Sequence, residues 1–340
     1  MKAKKYLVFL IKMMFSGILA LIILSLLCLV YYNPPLALPQ PDGYTNYKFP
    51  LNTSWSFMTE GNGRGTTNSL GYNDLQDPVA GEKAICFLGS SHTEALQVDT
   101  EKNFVSVFET MLASDESVAN DYQCLNLGIS GHFFNVVVSN FQSFANNFDQ
   151  VDYVIIETSN VEFSEEELEK MLNEEYHNGL TERSFIYESL RRVPYLRLLF
   201  KQYGDLQQNS NADAALPVEQ KSYENYAELL DPVMNKLSEI SREHGFELII
   251  LHHSYIYFDE NNQVYAQCNA EAQTQFQQSC EANGIRYLNT NDIFCKHVNS
   301  NAELPYGFSN TCFGTGHLNE VGHQLVAELL YSEMFAKEEG

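Results

Sequence analysis

Two side chains stand out for the chemistry they could perform together: Ser91, in the segment GSSHTE (Gly89 to Glu94), and His317, in GHLNEVGH (Gly316 to His323). A serine hydroxyl is a poor nucleophile until a neighbouring base accepts its proton, and His317 is the candidate base. Ser91 follows the apolar run AICFL (Ala84 to Leu88), so its hydroxyl falls on the turn beyond a strand. The carboxyl ends of strands are where open α/β sheets gather their active sites. Two further segments stand after strand-like runs, GISG (Gly128 to Gly131) and TSN (Thr158 to Asn160). Singly, each is weak, because serine and glycine occupy turns everywhere. Their order, each beyond a strand, carries the weight.

The elements that would position these residues are legible from Ala84 onward, where short apolar runs alternate with helical stretches. That alternation marks a parallel sheet covered on both faces. Strands are predicted at Ala84 to Leu88, Tyr122 to Gly128, Val151 to Thr158, Phe246 to His253 and Ile285 to Thr290. Helices are predicted at Phe104 to Leu112, Asn135 to Asn146, Tyr223 to His244 and Glu320 to Phe335. The fold class is α/β, a three-layer αβα sandwich with a doubly wound, mostly parallel five-stranded sheet. Between the third and fourth strands, Glu162 to Gln220 is longer than a crossover needs, with an acidic helix at Glu165 to Glu175 and a helical piece at Phe185 to Gln202. It is either a lid or a surface insertion remote from the site.

Met13 to Val30 is apolar and uncharged, close to the length that crosses a bilayer. Lys2, Lys4, Lys5 and Lys12 precede it and no lysine or arginine follows in the next turn, which places the N-terminus in the cytoplasm and the rest outside. An uncleaved anchor is favoured over a signal peptide, because no small-x-small site follows the apolar run. The expected organisation is a cytoplasmic stub and anchor at 1–32, a Pro/Gly-rich stalk and lead-in at 33–80, and one domain at 81–340 with an insertion at 162–220. Asn33 to Pro50, with Pro34, Pro35, Pro39, Pro41 and Pro50, reads as a stalk. Gly61 to Tyr72 (GNGRGTTNSLGY) reads as irregular chain. The net charge of -24 argues against nucleic-acid binding and for a solvated acidic surface. Outside the span, Cys268 with Cys280 and Cys295 with Cys312 are the plausible disulfide pairs, and Cys86 and Cys124 are expected as buried thiols. No cysteine spacing suggests zinc, and no metal or cofactor is expected.

In this order the four segments resemble the blocks of the SGNH/GDSL hydrolase family: GDS-x-x-E/G, a second-block glycine, G-x-N-D or a relative, and D-x-x-H before the last helix. The resemblance covers about Ala84 to Phe335, and NSLGYND (Asn68 to Asp74) is similar to a segment that precedes the domain in membrane-anchored members. It implies a flavodoxin-like sheet, with Ser91 as nucleophile rather than Ser90, which aligns one position early. It also implies His317 as base and an oxyanion hole made by the backbone N–H groups of Ser91 and Gly131 with the Asn160 side chain. Ser90, His92 and His132 are candidates to line the pocket, with solvent exposure the alternative for the two histidines. His323 is expected to support the last helix, and His252 and His253 to sit at the mouth of strand four without a role.

Two carboxylates of the pattern are missing. Ser90 stands where the first block has Asp, and Gly314 where the last block has it. Glycine cannot orient an imidazole. A backbone carbonyl between Tyr306 and Gly316, Asp292 or Glu320 are the substitutes the sequence offers. The resemblance implies an extracytoplasmic ester hydrolase or O-acyltransferase, acting on O-acylated (acetylated) glycan or another small ester. The alternative is a glycan-binding or envelope-assembly protein that keeps the fold without the chemistry. A flavin or dinucleotide domain is disfavoured, since no G-x-G-x-x-G follows the first strand.

Overall fold

The computed structural model describes residues 2–36, 38–39, 47–48, 50–118, 121–147, 150–173, 190–212, 225–258, 263–267 and 269–335. Strands β1 (Ala84–Leu88), β2 (Gln123–Asn126), β3 (Val151–Thr158), β4 (Glu247–His252) and β5 (Arg286–Asn289) form one sheet in the order β2-β1-β3-β4-β5. Every neighbouring pair is parallel. Among the described residues, the helices longer than one turn are α1 (Lys2–Tyr31), α2 (Phe104–Ser114), α3 (Phe134–Ser139), α4 (Phe141–Asn147), α5 (Glu165–Asn173), α6 (Pro194–Ala212), α7 (Tyr226–His244), α8 (Ala270–Ala282), α9 (Asn291–Asn301) and α10 (Glu320–Met334).

Side chains alternate across a strand, so each buried strand feeds two cores. Ala84, Cys86 and Leu88 of β1 join Val154 and Ile156 of β3 under α3, α4, α5, α7 and α8. Ile85 and Phe87 turn the other way, with Ile155 and Ile249, under α2, α9 and α10. The result is the three-layer αβα sandwich read from the sequence. Fully burying one such aliphatic or phenylalanine side chain contributes about 1.5–3 kcal/mol, so the two layers clamp the sheet and fix the ends of its strands.

Ahead of the sandwich, Tyr32–Asn33, Ser54–Phe57 and Gly63–Thr66 form a small antiparallel sheet with Ser54–Phe57 in the middle. Gly63–Thr66 corrects the expectation of irregular chain there: it pairs with Ser54–Phe57, and Gly63 and Gly65 must be glycine because an added Cβ would strike Leu96 O at the first and Thr100 Oγ1 at the second. Residues 37, 40–46 and 49 of the expected stalk lie outside the described residues. Lys4–Tyr31 is long and apolar enough to cross a membrane. The last carbonyls of a helix have no partner within it. Here the hairpin supplies two: Ser56 Oγ donates to Leu29 O (2.9 Å) and Met58 N–H donates to Tyr31 O (3.0 Å).

The predicted helix at 135–146 is two helices, broken at Asn140, whose Nδ2 donates to Val136 O at 2.8 Å and competes with the helical ladder. Helices α8 and α9 and the hairpin of Tyr255–Phe258 with Val264–Gln267 were not expected from the sequence. Of the 162–220 insertion, α5 packs Leu168 and Met171 into the core and α6 begins at Pro194, while 174–189 and 213–220 lie outside the described residues. The expected disulfides are corrected as well. Cys280, Cys295 and Cys312 are free thiols, Cys280 because it faces the core beside Met234. Cys268 lies outside the described residues. Cys86 and Cys124 are buried thiols, as expected.

Candidate active site

The turn after β1 is built around a buried carboxylate. Gly89 must lack a side chain, because a Cβ there would collide with Thr93 Oγ1 and Glu157. Ser90 is extended, Ser91 opens the one-turn helix Ser91–Glu94, and Ala95 leaves it in the left-handed region at φ 55°. Glu157, near the end of β3, holds this turn from beneath. Its Oε2 accepts from Ser90 N–H (2.8 Å), Ser90 Oγ (3.0 Å) and Thr93 Oγ1 (3.1 Å), and its Oε1 lies 2.7 Å from His253 Nε2. His253 Nδ1 is in turn 2.7 Å from the Tyr306 hydroxyl. Burial alone would raise the Glu157 carboxyl. The hydrogen bond and charge of His253, with the Ser90 donors, outweigh it and hold the group below the ordinary carboxylate range.

Above this turn, Ser91 Oγ lies 2.8 Å from His317 Nε2. The other ring nitrogen, Nδ1, is 2.8 Å from Glu60 Oε2, and the His317 backbone N–H donates to Glu60 Oε1 at 2.9 Å. The carboxylate that Gly314 cannot supply therefore arrives from the hairpin between Ser54–Phe57 and Gly63–Thr66. Of the substitutes proposed from the sequence, no backbone carbonyl of the loop takes the role. Asp292 sits in the first turn of α9, and Glu320 pairs with Lys102 at 2.8 Å. Burial pushes the Glu60 carboxyl up, but its hydrogen bonds to His317 and that residue's charge prevail and bring it below its usual value. Gly316 makes the approach possible: a Cβ there would run into Glu60 Oε1.

Both loops are pinned. Asn310 Oδ1 accepts from Gly61 N–H (2.9 Å), and its Nδ2 donates to Gly61 O (2.8 Å) and Met58 O (3.1 Å), which ties the Glu60 hairpin to the histidine loop. Asn319 caps α10 by accepting from Gly322 N–H and donates to Leu304 O and Gly307 O, so the chain two residues after His317 is fixed.

Gly131 adopts φ +88°, a conformation that favours glycine, and neither its N–H nor that of Ser91 donates to another group among the described residues. The Gly131 loop is held against the Ser91 turn by Glu94, whose Oε2 accepts from Ser130 N–H and Ser130 Oγ. Asn73, in the NSLGYND segment, donates to Glu94 O at 2.6 Å, and Asp74 Oδ2 accepts from Asn126 N–H at 2.9 Å. Asn160 is exposed at the end of β3, with its Nδ2 given to Glu162 O at 2.9 Å. Beside Ser90 opens a cleft of about 260 Å³, lined by Phe133, Phe134, Phe163, Asn160 and Glu157.

The other histidines around the site are buried. His92 lies between the rings of His253 (4.4 Å) and His317 (5.0 Å), and its Nδ1 accepts from Leu318 N–H. Burial first, then the charges of its histidine neighbours, push it well below the ordinary value. His132 is held at about 4 by burial. Neither ring lines the cleft beside Ser90 or is solvent-exposed. His323 Nδ1 accepts from Phe104 N–H, so it supports α10. His252 bonds the Tyr287 hydroxyl beneath the sheet edge. His253 is the correction among these: it is a member of the buried network under Ser90, facing Glu157 across the β3–β4 pair. Glu157, the one acid in the apolar part of β3, was the available signal.

No family model matches the chain, and no curated protein matches it. Solved structures do. An acetyl xylan esterase, AlAXEase, is 12% identical over 74% of this chain and 100% of its own, with a TM-score of 0.41. TesA is 11% identical over 74% and 98%, at 0.39. A member of the lipolytic protein G-D-S-L family from Veillonella parvula DSM 2008 is 12% identical over 74% and 98%, at 0.37.

Proposed function

We propose that this chain is a membrane-anchored, extracytoplasmic serine ester hydrolase or O-acyltransferase. The observation that carries the reading is the linear relay Ser91 Oγ, His317, Glu60, with 2.8 Å at both junctions. Ser91 attacks an ester carbonyl while His317 Nε2 takes the hydroxyl proton. Glu60 fixes the imidazole so that Nδ1 carries hydrogen toward the carboxylate, and stabilises the imidazolium as it forms. The developing oxyanion is met by the uncommitted N–H groups of Ser91 and Gly131, with Asn160 turning its amide inward from its bond to Glu162. His317 then gives its proton to the departing alcohol, and water or a sugar hydroxyl releases the acyl group from Ser91. The phenylalanine-lined cleft suits a small acyl group, and O-acetylated glycan is the substrate class that fits an enzyme tethered at an envelope surface. The non-catalytic alternative was motivated by the missing carboxylate, a role Glu60 fills.

Labelling of the full-length chain with a fluorophosphonate tests this. Ser91 is expected to take the label, and Ser91→Ala to take none. An unlabelled wild-type protein, or a variant labelled as fast as wild type, rejects the assignment.

A further inference from the structure

Helix α6 departs from the rest of the molecule in charge and position. Between Arg191 and Lys201 the sequence RRVPYLRLLFK holds four of the sixteen basic residues that follow the apolar helix, and no acid, in a chain whose net charge is -24. Along the helix, Arg197, Leu198 and Lys201 share one face. Arg197 Nη1 donates to Asn33 Oδ1 at 2.7 Å, Leu198 packs on the cluster of Tyr32, Trp55 and Phe57, and Lys201 Nζ lies 6.0 Å over the Phe57 ring. The helix also packs against α1. It is therefore seated at the point where the apolar helix ends. On its other face, Leu196, Leu199 and Tyr203 follow the i, i+3, i+7 spacing of a single stripe, and Arg191 and Arg192 stand just before the helix begins. Leu199 is 54% exposed and Tyr203 64%.

An apolar stripe with basic residues gathered at the start of the helix is the pattern of a helix lying in the plane of a bilayer surface, with its leucines and tyrosine at the acyl boundary. Continuity with α1 says what covers it. If Lys4–Tyr31 crosses the hydrocarbon, a helix packed beside its exit lies at headgroup depth, where its basic residues are drawn to anionic lipid. We infer that α6 is an interfacial helix that docks on a bilayer carrying anionic headgroups, and so fixes the orientation of the domain above the membrane.

Tryptophan quenching reads this directly, because the chain's single tryptophan, Trp55, is buried. Full-length Leu199→Trp and Glu243→Trp would be reconstituted into vesicles of phosphatidylcholine with phosphatidylglycerol, with or without bromine at carbons 6 and 7 of the acyl chain. Glu243 is exposed at the opposite end of the sheet, before β4. Leu199→Trp emission is expected to fall at least twofold with brominated lipid and Glu243→Trp to stay unchanged. Adding Arg192→Glu, or omitting phosphatidylglycerol, is expected to reduce the quenching. Equal behaviour at the two positions overturns the inference, as does a blue-shifted Leu199→Trp that bromine leaves unquenched, since protein rather than lipid then covers the stripe. Quenching indifferent to charge overturns its anionic component. All arms can be run on Ser91→Ala, so the outcome is independent of catalysis.

Discussion

Glu60 and His317 are joined twice, carboxylate to ring and carboxylate to backbone, although 257 positions separate them. One oxygen orients the imidazole and the other fixes the peptide that carries it. An acid delivered from outside the sheet thus meets the ring that, in the resembled pattern, is met by an acid three residues before the histidine.

Replacing Glu60 by Gln keeps the shape and removes the charge. The expected loss in kcat/KM, or in the rate of fluorophosphonate labelling, is about 10²–10⁴-fold, by analogy with an orienting carboxylate converted to its amide. Glu60→Asp should recover part of it. A Glu60→Gln protein that reacts at the wild-type rate would show that the carboxylate only braces the loop.

Gly316→Ala puts a Cβ against Glu60 Oε1, at a residue whose φ is +84°. The carboxylate must retreat and the backbone is strained, so a stability loss of about 1–2 kcal/mol and a drop in labelling comparable to that of Glu60→Gln are expected. Thermal unfolding and labelling of the same preparation separate the two effects.

Ser90→Asp restores the residue type seen in the resembled first block, and it is expected to be harmful. Ser90 Oγ already lies 3.0 Å from Glu157 Oε2 in a buried site, so a second carboxylate would be a like charge without solvent. A loss of several kcal/mol is expected, and Glu157→Gln in the same chain should return part of it. The double-mutant cycle fails the idea if the two changes simply add.

Stability should also depend on pH in two opposed ways. His252 and His323 are each held at about 3 by burial. Their depressed values mean that the unfolded chain binds protons the fold excludes, so stability is lost as pH falls from about 6.5 toward 3, by about 1.4 kcal/mol per pH unit for each ring. Asp74 has the contrary sign. Burial raises it to about 7 from 3.8, so the fold keeps a proton that the unfolded chain releases, and stability from this group declines as pH rises across that interval. Asp74→Asn should therefore gain on wild type between pH 5 and 8 and match it near pH 4. Melting temperatures across that range decide it.

The sheet and the Ser91–His317 pairing were legible because their signals are local: an apolar run followed by a Gly-Ser turn, and a histidine just ahead of an amphipathic helix. Glu60 was not legible. It lies in a glycine-rich hairpin with no periodicity, and only the three-dimensional meeting of Asn310 with Gly61 brings it to the ring. The buried pair Glu157–His253 was half legible, as an acid and a histidine at the ends of adjacent apolar strands. Their pairing depends on register, which places Glu157 opposite Leu251 and Thr158 opposite His252. The cysteine pairs failed for a different reason, since a polar sequence neighbourhood does not reveal that Cys280 occupies the inward side of its helix.

The hairpin that ends α1 bears on how the protein can be handled. Met58 terminates the apolar helix and Glu60 sits two residues further on, while Tyr32 and Asn33 pair with Phe57 and Ser56. Removing α1 would unseat this edge, so fragments that begin after it should take up a fluorophosphonate slowly, for want of a seated acid. The end of the apolar helix and the acid beside His317 share one short ribbon of backbone.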